Sequence, residues 1–127
     1  MLEDLFGNQI FRTIELWPAI FATCNTPDIT KVRTAVLVQV GMIIYQVINY
    51  YRLREITDYT ILLIKKLINV SGEVIKGIEN SKERAALLKE VRPGFDEVLG
   101  HINFGRLPKK KEEMFSELNA SIVKMLY

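Results

Sequence analysis

From Thr34 to Tyr51 the chain carries no charged residue, and the run is bracketed by Lys31 and Arg33 on one side and by Arg52 and Arg54 on the other. An uncharged stretch of this length has few destinations: the interior of a fold, the surface of another macromolecule, or a bilayer, whose hydrocarbon core takes about 20 apolar helical residues to cross. Apolar residues from Ile29 to about Leu53 cover most of a helical circumference and leave a narrow stripe through Lys31, Ala35, Gln39, Met42, Gln46 and Asn49. A helix apolar nearly all round is expected to be surrounded by neighbours. Gln39, Gln46 and Asn49 on the stripe, the near-minimal length and basic residues at both ends rather than one all weigh against a span. A core helix is the expected state, and a single-span membrane-associated protein the alternative. No other stretch qualifies, because Lys65 and Lys66 interrupt the run from Tyr59 to Ile64.

The remaining apolar residues also recur at threes and fours. Leu2, Leu5, Phe6, Ile10, Ile14, Trp17, Phe21 and Cys24 outline a helix over residues 2–24, kinked or restarted at Pro18. Thr26-Pro27-Asp28 supplies a capping hydroxyl, a proline suited to a first helical position and an acid near the N-terminus of the long apolar helix. Thr57-Asp58 caps a third helix with Ile61, Ile64, Leu67, Ile68, Ser71, Ile75 and Ile78 on one face, and Lys65, Lys66, Glu73 and Lys76 off it. Asn80-Ser81 caps a shorter helix through Ala85, Leu87, Leu88 and Val91, which is expected to end or bend at Arg92-Pro93-Gly94, where the chain changes direction. Phe95, Val98, Leu99 and Ile102 imply a further short helix before Gly105-Arg106-Leu107-Pro108. Met114, Phe115, Leu118, Ile122 and Met125 or Leu126 mark the last one.

Seven glycines and four prolines in 127 residues leave long stretches without either, which disfavours a fold built on frequent tight turns. The length suits one core, so residues 1–127 are expected to form a single domain. The fold class is all-α: a compact bundle of five or six helices with the apolar second helix central.

Catalytic chemistry has no candidate. His101 is the single histidine and sits among Leu99, Gly100 and Ile102, where a packed or surface-capping role is expected. Cys24, the single cysteine, has no neighbouring base to lower its thiol pKa and is expected to be buried and inert; it offers neither a disulfide nor a protein-supplied zinc site. No phosphate-cradling glycine loop, zinc-helix motif or calcium loop is present. The acid pairs Glu55 with Asp58, Asp96 with Glu97, and Glu112 with Glu113 are interleaved with Arg and Lys and read as solvated faces and first-turn acids. A non-enzymatic protein without cofactor or metal follows. The opening residues Met1 to Phe6 carry acids where a secretory signal carries bases, so a cytoplasmic location is expected.

Charge points to binding instead. Formal net charge is +2, but residues 1–30 set Arg12 against Glu3, Asp4, Glu15 and Asp28, a balance of −3 that leaves +5 for the rest. The bases cluster at Arg52 and Arg54, at Lys65 and Lys66, and at Lys109, Lys110 and Lys111, which open the last helix. Cations at a helix N-terminus oppose its macrodipole, so the lysine triplet is not there for helix stability, although Glu112 and Glu113 offset it. These seven residues are the candidate phosphate contacts, of a kind that holds a nucleic-acid backbone without reading bases. Tyr45, Tyr50, Tyr51 and Tyr59 lie near Arg52 and Arg54 in sequence, either stacking on unpaired bases or, as tyrosines on an apolar helix usually do, packing in a core or interface.

The length, the all-helical pattern and the dispersed basic patches resemble the small helical subunits of CRISPR effector complexes, an antiviral defence machinery. The resemblance is one of architecture and assigns no individual residue. It implies a structural subunit that lines an RNA or single-stranded DNA path and packs on other subunits and copies of itself; small helical viral coat proteins share the pattern. The alternative is a protein–protein assembly or oligomerisation module without nucleic-acid contact, suggested by a second helix too apolar for one side of a small bundle.

Overall fold

Two helix starts in this protein, those of the third and fourth helices, are set by side chains that satisfy free amides of the first turn. The computed structural model describes residues 16–23, 28–51, 55–103 and 111–127, and within them the elements are α1 (Trp17–Thr23), α2 (Ile29–Tyr50), α3 (Asp58–Lys76), α4 (Ser81–Asn103) and α5 (Glu112–Leu126), with no strand among the described residues. The first part of the expected helix over residues 2–24, as far as residue 15, lies outside the described residues, as do Cys24, Thr26 and Pro27. Asp28 stands at the cap position of α2 without a side-chain capping bond. The Thr57 hydroxyl accepts the Thr60 amide at 3.2 Å to open α3, and the Asn80 side-chain oxygen accepts the amides of Lys82 and Glu83 at 2.9 and 3.2 Å to open α4. Both caps fall where the sequence puts them, because Thr and Asn supply the acceptor these orphan donors need.

The proline reading needs correction. Arg92-Pro93-Gly94 neither ends the fourth helix nor turns the chain: α4 runs unbroken from Ser81 to Asn103 with Pro93 inside it. The expected short helix at Phe95–Ile102 is its second half. An interior proline costs about 3 kcal/mol through its missing amide and its clash with the preceding turn. Pro93 is exposed, which lets water reach the carbonyl it leaves unpaired, while Val91, Phe95 and Val98 on either side are fully buried. Burying each such side chain returns about 1.5–3 kcal/mol, and both halves must stay collinear to keep all three in one core.

The core gathers Leu37, Ile44 and Ile48 from α2, Ile61, Ile64 and Ile68 from α3, Leu87, Val91, Phe95 and Val98 from α4, and Phe115, Leu118, Ile122 and Leu126 from α5. Ser71, the one polar residue among the described residues that is buried as a whole, donates its hydroxyl back to the Leu67 carbonyl at 2.7 Å. α2 packs chiefly on α4, α4 also on α5, α5 on α3, and α1 on α3, while α2 and α3 barely touch. α3 and α5 lie side by side and run the same way. Asp58 meets Lys111, Lys65 meets Glu117, and Gly72 faces Met125, in ascending order along both.

The α2–α4 contact depends on two glycines. A Cβ added at Gly41 would sit 3.3 Å from two ring carbons of the fully buried Phe95 and 3.6 Å from the Gly94 backbone. Gly100, also in α4, has nothing within 4 Å of such an atom. Gly41→Val is therefore expected to lower stability by about 1–3 kcal/mol through overpacking. Gly100→Ala should raise it by about 0.5–1 kcal/mol through helix propensity. Urea unfolding of both variants checks the pair, and a Gly41→Val midpoint equal to the parent's would refute the close approach.

Candidate functional site

Three of the seven candidate phosphate contacts lie within the described residues, and two of those hold the bundle together. The Lys65 ammonium pairs with Glu117 across α3 and α5 at 3.1 Å, both side chains partly exposed. Lys66 is half-buried and engaged in its own contact. Lys111 precedes α5 with its side chain only 17% exposed, donating to the Ile56 carbonyl and, at 2.8 Å, to Asp58. The cation that opposes the α5 macrodipole is thus balanced by the first-turn acid of α3. Arg52, Arg54, Lys109 and Lys110 lie outside the described residues. What the geometry brings together is Lys111, which closes the lysine triplet, and the Ile56–Asp58 turn, which follows the two arginines in sequence.

Among the other singled-out side chains, His101, Tyr45, Tyr50, Tyr51 and Asp96 have structural partners. His101 packs its ring on Tyr45 with centroids 4.8 Å apart, and Tyr50 and Tyr51 meet edge to face at 5.0 Å. Asp96 accepts the Tyr127 hydroxyl at 3.0 Å. That bond pushes the Tyr127 phenol above its ordinary pKa, with desolvation and the Asp96 charge acting the same way and Arg92 against them. Among the described residues no three of His, Cys, Asp and Glu gather as metal ligands.

The outer side of α2 is the largest chemical anomaly. All six residues of the expected polar stripe, Lys31 to Asn49, are exposed. Beside them Val32, Ile43 and Tyr50 are 50%, 50% and 56% exposed, and Met42 46%. At 3.6 residues per turn Val32, Ile43 and Tyr50 fall within about 20° of one another and run about 27 Å along the helix. The half-buried Val36 and Val47 continue the apolar strip toward the core. A cavity of about 380 Å³ lined by Met42, Tyr45, Gln46, Gly94 and Glu97 opens where this face meets α4. Neighbours within the described chain cover one side of α2 and leave the other bare.

A second concavity escaped the sequence reading. A groove of about 590 Å³ between the C-terminal halves of α3 and α5 and the first half of α4 is lined by Lys76, Arg84, Arg92 and Lys124, against the single carboxylate side chain of Glu73. Its four cations come from three helices, so no basic run marks it. The one legible trace is Arg84, Leu88 and Arg92 at steps of four along α4, a single helical stripe.

The chain matches no protein-family model, no curated protein and no solved structure.

The two ion pairs differ in weight. Lys65→Ala removes an exposed pair and is expected to cost under about 0.5 kcal/mol. Lys111→Ala strips a largely buried ammonium from a carbonyl and a carboxylate and should cost about 1–2 kcal/mol. Thermal unfolding of the two single variants checks the order, and equal losses would contradict the anchoring role of Lys111.

Proposed function

We propose that this protein is a non-enzymatic subunit of a larger assembly, docking on other protein subunits and on copies of itself through the outer face of α2. The observation that carries the reading is the exposure of Val32, Met42, Ile43 and Tyr50 on a helix with no charge from Thr34 to Tyr51. Covering the exposed half of each such side chain is worth about 1 kcal/mol, and aromatic and Met side chains on a flat apolar strip are the anchors protein interfaces favour.

By length and composition alone α2 could also cross a membrane. A protein partner is favoured because the inner side of α2 is already packed on α4, whose outward side carries the exposed Lys89, Glu90, Asp96 and Glu97. Lipid covering α2 would have to meet those charges as well, at several kcal/mol each.

Self-association through this face has a distinctive salt response. In sequence Lys31 and Arg33 precede the uncharged run and Arg52 and Arg54 follow it, so pairing of two copies is expected to bring like charges together whichever way the helices run. Added salt screens that repulsion and leaves the apolar contact intact, so association is expected to strengthen between low and moderate salt. Light scattering coupled to size exclusion measures it, and Ile43→Glu should return the protein to monomer without lowering its unfolding temperature. A monomer at high concentration in moderate salt, or an oligomer indifferent to Ile43→Glu, sinks the proposal for self-association.

A second reading adds contact with a nucleic-acid backbone, of RNA or single-stranded DNA, and the tie between Lys111 and Ile56 favours it. That tie places the residue after Lys109 and Lys110 beside the turn that follows Arg52 and Arg54. With Lys65, Lys66 and Lys111 engaged within the bundle, the affinity is assigned to Arg52, Arg54, Lys109 and Lys110. Replacing Arg52, Arg54, Lys109 and Lys110 by Ala should weaken binding and flatten the slope of log K against log salt by up to about 3, at roughly 0.7 per phosphate contact on single strands. Anisotropy titrations with labelled RNA and single-stranded DNA test this, and no binding in low salt by the parent would remove the reading.

A further inference from the structure

The groove between α3, α4 and α5 has a charge distribution that helix stability explains only in part. Lys76 and Lys124 stand in the last turns of α3 and α5, where a cation is favourable to the macrodipole. Because those two helices run parallel, their negative ends lie side by side, and two lysines there need no ligand. Arg84 is different. It occupies the first turn of α4, the positive end of that helix, where a cation is disfavoured. Its Nε is buried in the groove wall without a hydrogen-bond partner. The Arg33 Nε is buried and unpartnered in the same way, so the orphan donor alone assigns no ligand; what sets Arg84 apart is that its side chain lines a groove shared with three further cations.

Arg92 completes the wall two turns further along the same stripe. Its Nε and Nη2 donate to the Leu126 carbonyl at 3.1 and 2.8 Å, and the guanidinium lies 5.0 Å from the centroid of the Tyr127 ring. These contacts hold its charge in place before any ligand arrives, which lowers the ordering cost of binding. The remaining wall is apolar, from Ile75, Leu88 and Met125. The volume of about 590 Å³ lies within the range of small-molecule sites.

We propose that this groove binds a small organic phosphate: its multiply charged anionic head received by Arg84, Lys76 and Lys124 with Arg92 behind them, and its apolar body lying on Leu88 and Met125. Arg84 supplies the directed hydrogen bond, since a guanidinium matches phosphate oxygens in pairs. The site is separate from the outer face of α2, and its test is independent of the assembly reading.

Isothermal titration of the full chain in low salt, with 1-naphthyl phosphate and with inorganic pyrophosphate as probes, is the experiment. Both are expected to bind and to weaken with added salt, and 1-naphthyl phosphate should lose at least about tenfold on Leu88→Ser while pyrophosphate does not; a tenfold loss corresponds to about 1.4 kcal/mol. Arg84→Gln should weaken both probes by about tenfold or more, and Lys124→Gln, at an exposed position, should weaken both by a smaller factor. Ile43→Glu should leave binding unchanged. Absence of binding for either probe at millimolar concentration overturns the proposal, as does affinity indifferent to both Arg84→Gln and Lys124→Gln.

Discussion

The bundle depends on the contact of Phe95 with Gly41. Phe95 has no exposed surface, and its ring fills the space that a side chain on α2 would need, so α2 can approach α4 only where α2 has none. Gly94 keeps the facing backbone bare at the same level. This close approach places Leu37, Ile44 and Ile48 in the core on either side of the crossing and fixes the rotation of α2 about its own axis. The same rotation turns Val32, Ile43 and Tyr50 outward. The buried and the bare faces of α2 are therefore one consequence of one contact.

That contact also explains the survival of a proline inside α4. Read locally, Arg92-Pro93-Gly94 is a stop signal, and a rule that counts only the lost backbone bond ends the helix there. The decisive term is tertiary: Val91, Phe95 and Val98 enter the same core from both sides of the proline, and breaking the helix would withdraw one group or the other. Caps are different because they are local. Thr57 and Asn80 act on amides two or three residues away, and for that reason both helix starts were legible from the sequence alone.

The candidate sites divide along the same line. The apolarity of α2 and its polar stripe could be read from periodicity, but how much of the circumference other helices cover is set by where they cross it. Lys111 stood out as a base at a helix N-terminus, and its partner, Asp58 at the start of α3, lies far off in sequence, so only the fold shows the charge balanced. The groove was illegible for a related reason. Lys76, Arg84, Arg92 and Lys124 are isolated in sequence and converge only when three helices are assembled, so a search for basic runs passes over them.

The two ends of the bundle handle like problems in different ways. Because α3 and α5 are parallel, their positive ends coincide at Asp58 and Lys111 and their negative ends at Lys76 and Lys124. At the positive end Lys111 would add to an already unfavourable field, and Asp58 with the Ile56 carbonyl absorbs its charge. At the negative end the helix ends themselves offset Lys76 and Lys124, which leaves Arg84, at the start of the antiparallel α4, as the charge without compensation. Helix dipoles fall off within a turn and are screened by water, so they cannot satisfy a buried guanidinium donor by field alone. Glu73 is the one carboxylate side chain the groove wall provides against four cations. The asymmetry between the two ends, one closed by its own carboxylate and one left cationic and concave, is what separates a structural ion pair from a site.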